Sequence, residues 1–184
     1  MKINFIKYEH SHGGREKYFP VGKKKDGVGD CVIRAVALSL EMDYMEAFKD
    51  LMDVAVEKGI PYANSQRVYE SYLDNKGWTK KSLKQGKSWL PMWKHKRFLD
   101  VNKNYIFYVR VGFRTHLTSV VKGINKDTWL WKESMAYAMY ESPCLKGHPE
   151  TLDCECKNER SWNRDYWNLF GIPCLKWTRV GNGI

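Results

Sequence analysis

The spacing of apolar residues changes once along this chain, and that change limits the folds open to it. Between residues 31 and 76 apolar side chains recur at three- and four-residue intervals. From residue 105 onward, β-branched and aromatic residues gather in short runs. The first pattern makes one-sided helices and the second makes strands. A helix is predicted from Cys31, with Ile33, Val36, Ala37 and Leu40 on one stripe and Asp30 as its N-cap. A second is predicted from Asp43, where Glu46 completes a capping box and Gly59 and Pro61 end the run. A third spans Ser65 to Lys76 and stops at Gly77. Strands are expected at Tyr105 to Val111, Thr115 to Val121 and Ile124 to Trp131, with Lys122-Gly123 as a tight turn between the last two. A further helix is expected over Arg160 to Phe170 and a last strand over Leu175 to Val180. Helices followed by antiparallel strands define an α+β fold. The first 29 residues, punctuated by Gly13, Gly14, Pro20, Gly22, Gly27 and Gly29, read as mostly irregular.

The chain has 184 residues, of which 43% are hydrophobic and 28% charged, enough for one well-filled core. A single domain over residues 1–184 is expected, with an appended loop at 142–158. No apolar run approaches the ~18 residues of a membrane span. The opening MKINFIKYEH lacks the apolar centre of a secretory signal, so a cytoplasmic protein with no membrane partner is expected. Five cysteines, an odd number, argue against a disulfide framework and for reactive or metal-binding thiols.

Thirty-one basic residues against twenty-one acidic leave a net charge of +10. Lys23, Lys24 and Lys25 form one cluster. Lys80, Lys81, Lys84, Lys87, Lys94, Lys96 and Arg97 form another, interleaved with Trp78, Trp89, Trp93 and Phe98. Cations beside stacking surfaces suit single-stranded nucleic acid, where each stacked base contributes about 1–3 kcal/mol. The same charge suits an acidic protein partner. It also suits a solvated face whose Trp residues turn inward.

Gly29-Asp30-Cys31-Val32-Ile33-Arg34-Ala35 carries the most chemical information. A thiol in the first turn of a helix meets unpaired N–H groups and the positive end of the dipole, which favour thiolate. The same N–H groups suit a developing oxyanion. A small buried hydrophobe is the plainer reading of such a cysteine. Of the five histidines only His116 falls inside a well-defined strand. If Lys122-Gly123 is a two-residue loop, Val121 pairs with Ile124, Ser119 with Lys126 and Thr118 with Asp127. Because side chains alternate, His116, Thr118 and Asp127 then share one face. Asp127 lies diagonal to His116, within reach of a hydrogen bond. A three-residue loop would reverse this parity. Nucleophile, base and orienting acid would then be Cys31, His116 and Asp127.

At GDCVIRAVALSL around Cys31, RTHLTSVV around His116 and KDTW around Asp127, the sequence resembles a papain-like cysteine peptidase of the small kind found in bacteria and their phages. The resemblance covers roughly residues 26–131. It implies a central helix opened by the nucleophile Cys31, packed on a sheet that carries His116 as base and then acid and Asp127 as orienter. It also implies a hydrolase acting on a protein or peptide substrate. The stretch KKKDGVGD lacks the Gln that such enzymes place before the nucleophile, and the C-G-S-C-W pattern is absent. Lys25 or Asp26 occupies that neighbourhood, unless backbone N–H groups suffice. A papain-like frame can also serve as an inert scaffold, a phage-type accessory or anti-defence protein that binds nucleic acid or a host protein.

Cys144, His148, Cys154 and Cys156 fall within CLKGHPETLDCEC. Three thiolates and an imidazole make a common structural zinc set. Zinc there would staple residues 142–158 and would not serve catalysis; a loop of free thiols is the alternative. Cys174 lies in an apolar context and reads as core. His10 and His12 are two apart in a Gly-rich segment without a further ligand and are discounted as a metal site. No GK[ST] follows Gly27 and Gly29, so no phosphate loop is expected.

Overall fold

A computed structural model describes residues 7–19, 29–85, 88–89, 91–111, 113–128 and 134–143. The expected helix at 160–170, the strand at 175–180 and the zinc-ligand set lie outside these residues.

Three helices follow one another as α1 (Cys31–Leu40), α2 (Tyr44–Glu57) and α3 (Gln66–Asn75). Each begins within two residues of its expected start, because the local signals are strong. Asp43 caps α2 by accepting the Met45 N–H at 2.9 Å. Gly59, at φ 64°, lets the chain leave α2 with Ile60 N–H bonded to the Ala55 carbonyl at 2.8 Å. Helix α1 buries Val32, Ile33, Ala35, Val36, Ala37 and Ser39, which is more than one stripe. Such a helix is enclosed rather than resting on the surface. It lies between α2 and the sheet.

The strands are β1 (Lys7–His10), β2 (Thr79–Ser82), β3 (Lys84–Gln85), β4 (Ser88–Trp89), β5 (Tyr105–Val111), β6 (Arg114–Val121), β7 (Ile124–Asp127) and β8 (Met135–Glu141). Six of them form one sheet in the order β1-β7-β6-β5-β8-β2, and β3 pairs with β4 separately. Strands β2, β3, β4 and β8 were not expected, and three further parts differ from expectation. The sheet is mixed, since β1 joins β7 in parallel. Strand β1 comes from a segment that read as irregular; its exposed, polar residues offer no apolar alternation, and it forms by completing the edge of β7. The third expected strand ends at Asp127, before its predicted limit, because the Asp127 carboxylate takes the Thr128 N–H at 2.6 Å and turns the backbone away.

The sheet is covered on both faces. Ile106, Leu117, Ala138 and Tyr140 join Val36, Leu51, Val68 and Leu73 in the helix-side core. The alternate residues Tyr105, Phe107 and Val109 of β5 are equally buried on the other side. There a 3-10 segment, Met92–Phe98, brings Met92 and His95, with the His95 ring 6.4 Å from that of Phe107. Among the described residues no helix is long and apolar enough to cross a membrane.

The β6–β7 hairpin sets the site. Lys122 (φ 50°) and Gly123 (φ 81°) both adopt left-handed backbone, as a two-residue type I′ turn requires. Val121 then pairs with Ile124, Val120 with Asn125 and Ser119 with Lys126. Gly123→Val should therefore lower the unfolding free energy by about 1–2 kcal/mol. The reading is a reduced denaturant midpoint at constant slope; an unchanged midpoint would mean the turn does not hold the register.

Candidate active site

The register brings His116 and Asp127 onto a common face, and their side chains meet. His116 Nε2 lies 2.6 Å from Asp127 Oδ2. With the carboxylate ionised, Nε2 carries the proton and donates, which leaves Nδ1 for a second partner. The ring's other side-chain partner is the Cys31 thiol, hydrogen-bonded to His116 from the first residue of α1. Cys31 is the one cysteine among the described residues.

The hairpin also explains how the sulfur is held. A two-residue hairpin closes on a hydrogen-bonded pair, so Val121, Ser119 and Leu117 all direct their N–H toward the β7 side. Strand β7 pairs with β6 only from Ser119 to Val121. Upstream of that ladder the Leu117 N–H meets the Cys31 sulfur instead.

Burial raises the Cys31 thiol pKa. The hydrogen bond and charge of His116, the Leu117 N–H and the Arg34 guanidinium outweigh it, so the thiol lies below its ordinary value. Burial acts on His116 in the opposite sense, disfavouring imidazolium. The bonds and charges of Asp127 and Cys31 overcome that and push His116 up to about 9. Asp127 is likewise opposed by burial, yet His116, the Thr118 hydroxyl and Arg34 hold it below the usual carboxylate range. Thr118 is oriented in turn, because its Oγ1 accepts from Asn125 Nδ2 at 2.8 Å. Asn125 thus acts on the acid only through Thr118. The three shifts have one sense: each favours the ionised form, as thiolate, imidazolium and carboxylate.

Asp30 does something the sequence did not indicate. It precedes α1 but makes no side-chain cap, at φ −96° and ψ 14°. Its carboxylate instead takes Arg34 Nε at 3.0 Å, Arg15 Nε at 3.4 Å and the Tyr44 hydroxyl at 3.1 Å. Arg34 continues to Asp127 Oδ1 at 3.2 Å and to Thr128 Oγ1 at 3.0 Å. Neither residue had been singled out for the site. The available signal was spacing: Asp30 and Arg34 stand at i and i+4, which puts an acid and a base on one helix face.

Other expected residues fall elsewhere. Lys25 and Asp26, the neighbours of any oxyanion donor before the nucleophile, lie outside the described residues. So do Cys144, His148, Cys154 and Cys156, and Cys174. His10 Nε2 and His12 Nε2 are 3.2 Å apart beside the backbone of Asp127. Among the described residues no group of three or more His, Cys, Asp or Glu side chains is arranged to hold a metal. In the basic and aromatic segment, Trp78 turns into the core. Lys80 pairs with Glu70 and Lys81 with Glu141, each at 2.6 Å. The Lys23–Lys25 cluster and the side chains of Lys84, Lys87, Trp89, Trp93, Arg97 and Phe98 lie outside the described residues.

Compared with known family models, with curated proteins and with solved structures, the chain matches none.

Asp127→Asn keeps the size of the orienting group and removes its charge. The His116 ring should then titrate well below about 9, toward the ordinary 6.5. Ring-proton NMR across pH reads this directly. A midpoint left near 9 would show that Asp127 is not what sustains the imidazolium.

Proposed function

We propose that this protein is a cysteine hydrolase that cleaves a peptide, isopeptide or similar amide bond in a polypeptide or protein modifier, through Cys31, His116 and Asp127. The observation that carries the reading is the continuous chain from the Cys31 sulfur through the His116 ring to Asp127 Oδ2, with the last link at 2.6 Å. The resemblance to papain-like peptidases adds the same order of residues on the same kinds of element.

The chemistry follows from the charges. The Cys31 thiolate attacks the carbonyl carbon, a C–S bond forms, and the carbonyl π pair moves onto oxygen. Helix α1 makes its first internal bond from the Arg34 N–H to the Asp30 carbonyl, at 3.1 Å. The Cys31 N–H precedes that bond, in the turn whose donors have no helical acceptor, and is suited to the oxyanion. When the tetrahedral adduct collapses, His116 gives its proton to the leaving nitrogen and the C–N bond breaks. The product amine departs and a thioester remains. Water then attacks the thioester, His116 takes its proton, and the thiolate leaves as the carboxylate product forms. Asp127 keeps its negative charge throughout and holds the ring in place.

Cys31→Ala should abolish release of product from fluorogenic peptide and isopeptide substrates, with an unfolding midpoint close to that of the wild type. Retained turnover in this variant would sink the proposal. Full inertness of the wild type toward every amide offered, with Cys31 also unreactive, would favour the scaffold reading.

The pH dependence has a defined sign. The active form needs an unprotonated sulfur and a protonated His116. Activity should fall on the acid side as the thiolate gains its proton, at a pH below the ordinary thiol value. It should fall on the alkaline side near 9, as the imidazolium loses its proton. A profile of kcat/KM against pH checks this. Activity rising steadily through 9 would point to an unassisted thiolate rather than to a pair.

A further inference from the structure

We infer that Arg34 is the positioning residue of the proposed catalytic centre, clamping the carboxylate of Asp127 to the helix turn that bears Cys31. The inference rests on the hydrolase reading for its purpose and on geometry for its evidence.

The guanidinium is largely buried, at 12% exposure, and it bonds to two acids on different elements. Its Nε bonds Asp30 Oδ1 at 3.0 Å; its Nη1 bonds Asp127 Oδ1 at 3.2 Å and Thr128 Oγ1 at 3.0 Å. The far end is itself anchored. Asp30 Oδ2 accepts from Tyr44 of α2 at 3.1 Å and pairs with Arg15 Nε at 3.4 Å. Asp127 therefore divides its oxygens, Oδ1 to Arg34 and Oδ2 to His116. That division sets the carboxylate rotamer and hence the plane in which the imidazole sits. Arg34 stands three residues after Cys31 on the same helix, so one side chain ties the nucleophile's turn to the hairpin that bears the base. A planar, forked cation spans two acids in this way, whereas an ammonium is a single point charge.

Among the described residues, the following charged and titratable groups face the pair. Cys31 faces His116 from β6 and Arg34 from its own helix, and the buried Tyr69 of α3 lies within electrostatic reach. Asp127 faces His116, Arg34 and Tyr8, whose hydroxyl donates to the Asp127 carbonyl at 3.2 Å. Arg34 is a permanent cation common to both sets, and it favours the ionised form of both groups.

A merely structural ion pair would stabilise the fold without touching the thiol. Iodoacetamide labelling of Cys31 against pH, read peptide by peptide by mass spectrometry on the full chain, separates the two roles. In Arg34→Gln the inflection should rise by about one unit, so labelling at a pH well below the wild-type inflection should slow about tenfold. Arg34→Lys keeps a positive charge and guards against a variant that does not fold; its inflection should also rise, because one ammonium does not hold both Asp30 and Asp127. Glu141→Gln is the control. It breaks a different ion-pair cluster, with Lys81 and Lys103, and should lower Tm while leaving the inflection in place. A wild-type inflection retained in both Arg34 variants would overturn the role of Arg34 and leave the triad standing. An ordinary thiol inflection in the wild type itself would overturn the triad and the inference together.

Discussion

The two-residue turn at Lys122-Gly123 is the constraint on which the site depends. Both residues need left-handed backbone, and glycine at the second position relieves one of the two penalties. The turn sets the β6–β7 register, and the register decides three things. It puts His116 and Asp127 on one face. It directs the Leu117 N–H toward the side where β7 has already ended. It leaves that opening to the first residue of α1. One residue more in the loop would send the acid to the opposite face and remove the orienting bond.

The energetics of the site are those of a partly buried charge network, in which no charge stands alone. Desolvation is the largest single influence on Cys31, His116 and Asp127, and in each case it opposes the ionised form. Pairing reverses it. A buried charge left unpaired is far costlier than one that is hydrogen-bonded on every side. This explains why the network extends outward to Thr118, Arg34, Asp30, Arg15 and Tyr44. Each added partner satisfies a lone pair or a proton exposed by the one before. The arrangement also couples nucleophile to fold, because α1, the β6–β7 hairpin and the turn holding Arg15 share one set of charges.

The legible parts of the structure were those with local causes. Asp43, Gly59 and Gly77 mark helix ends because capping and left-handed backbone act within a few residues. Tyr105–Val111 is legible because β-branched and aromatic residues favour a pleated, half-buried surface. Strand β1 was not legible. Its four residues are all exposed, and it exists only because β7 offers an unpaired edge. Strand β8 was not legible either. Its place between β5 and β2 depends on partners 25 or more positions away in the chain. The short limit of β7 arises from a bond between Asp127 and its neighbour Thr128, a contest between side chain and ladder that periodicity does not register.

In the site itself the division follows the same line. The sequence by itself determined the thiol at a helix start, the parity of His116 and Asp127, and the helices-then-strands order, because each follows from short-range spacing or alternation. Only the tertiary structure decided that Asp30 serves as an anchor for Arg34 rather than as a cap. The same holds for the Leu117 N–H on the sulfur and for the clamp from Arg34 to an acid 93 residues away. The physical reason is that hydrogen-bonding groups are promiscuous in one dimension. Asp30 had many donors open to it along the chain, and packing selected among them by which ones it left in the dark with no water to bind.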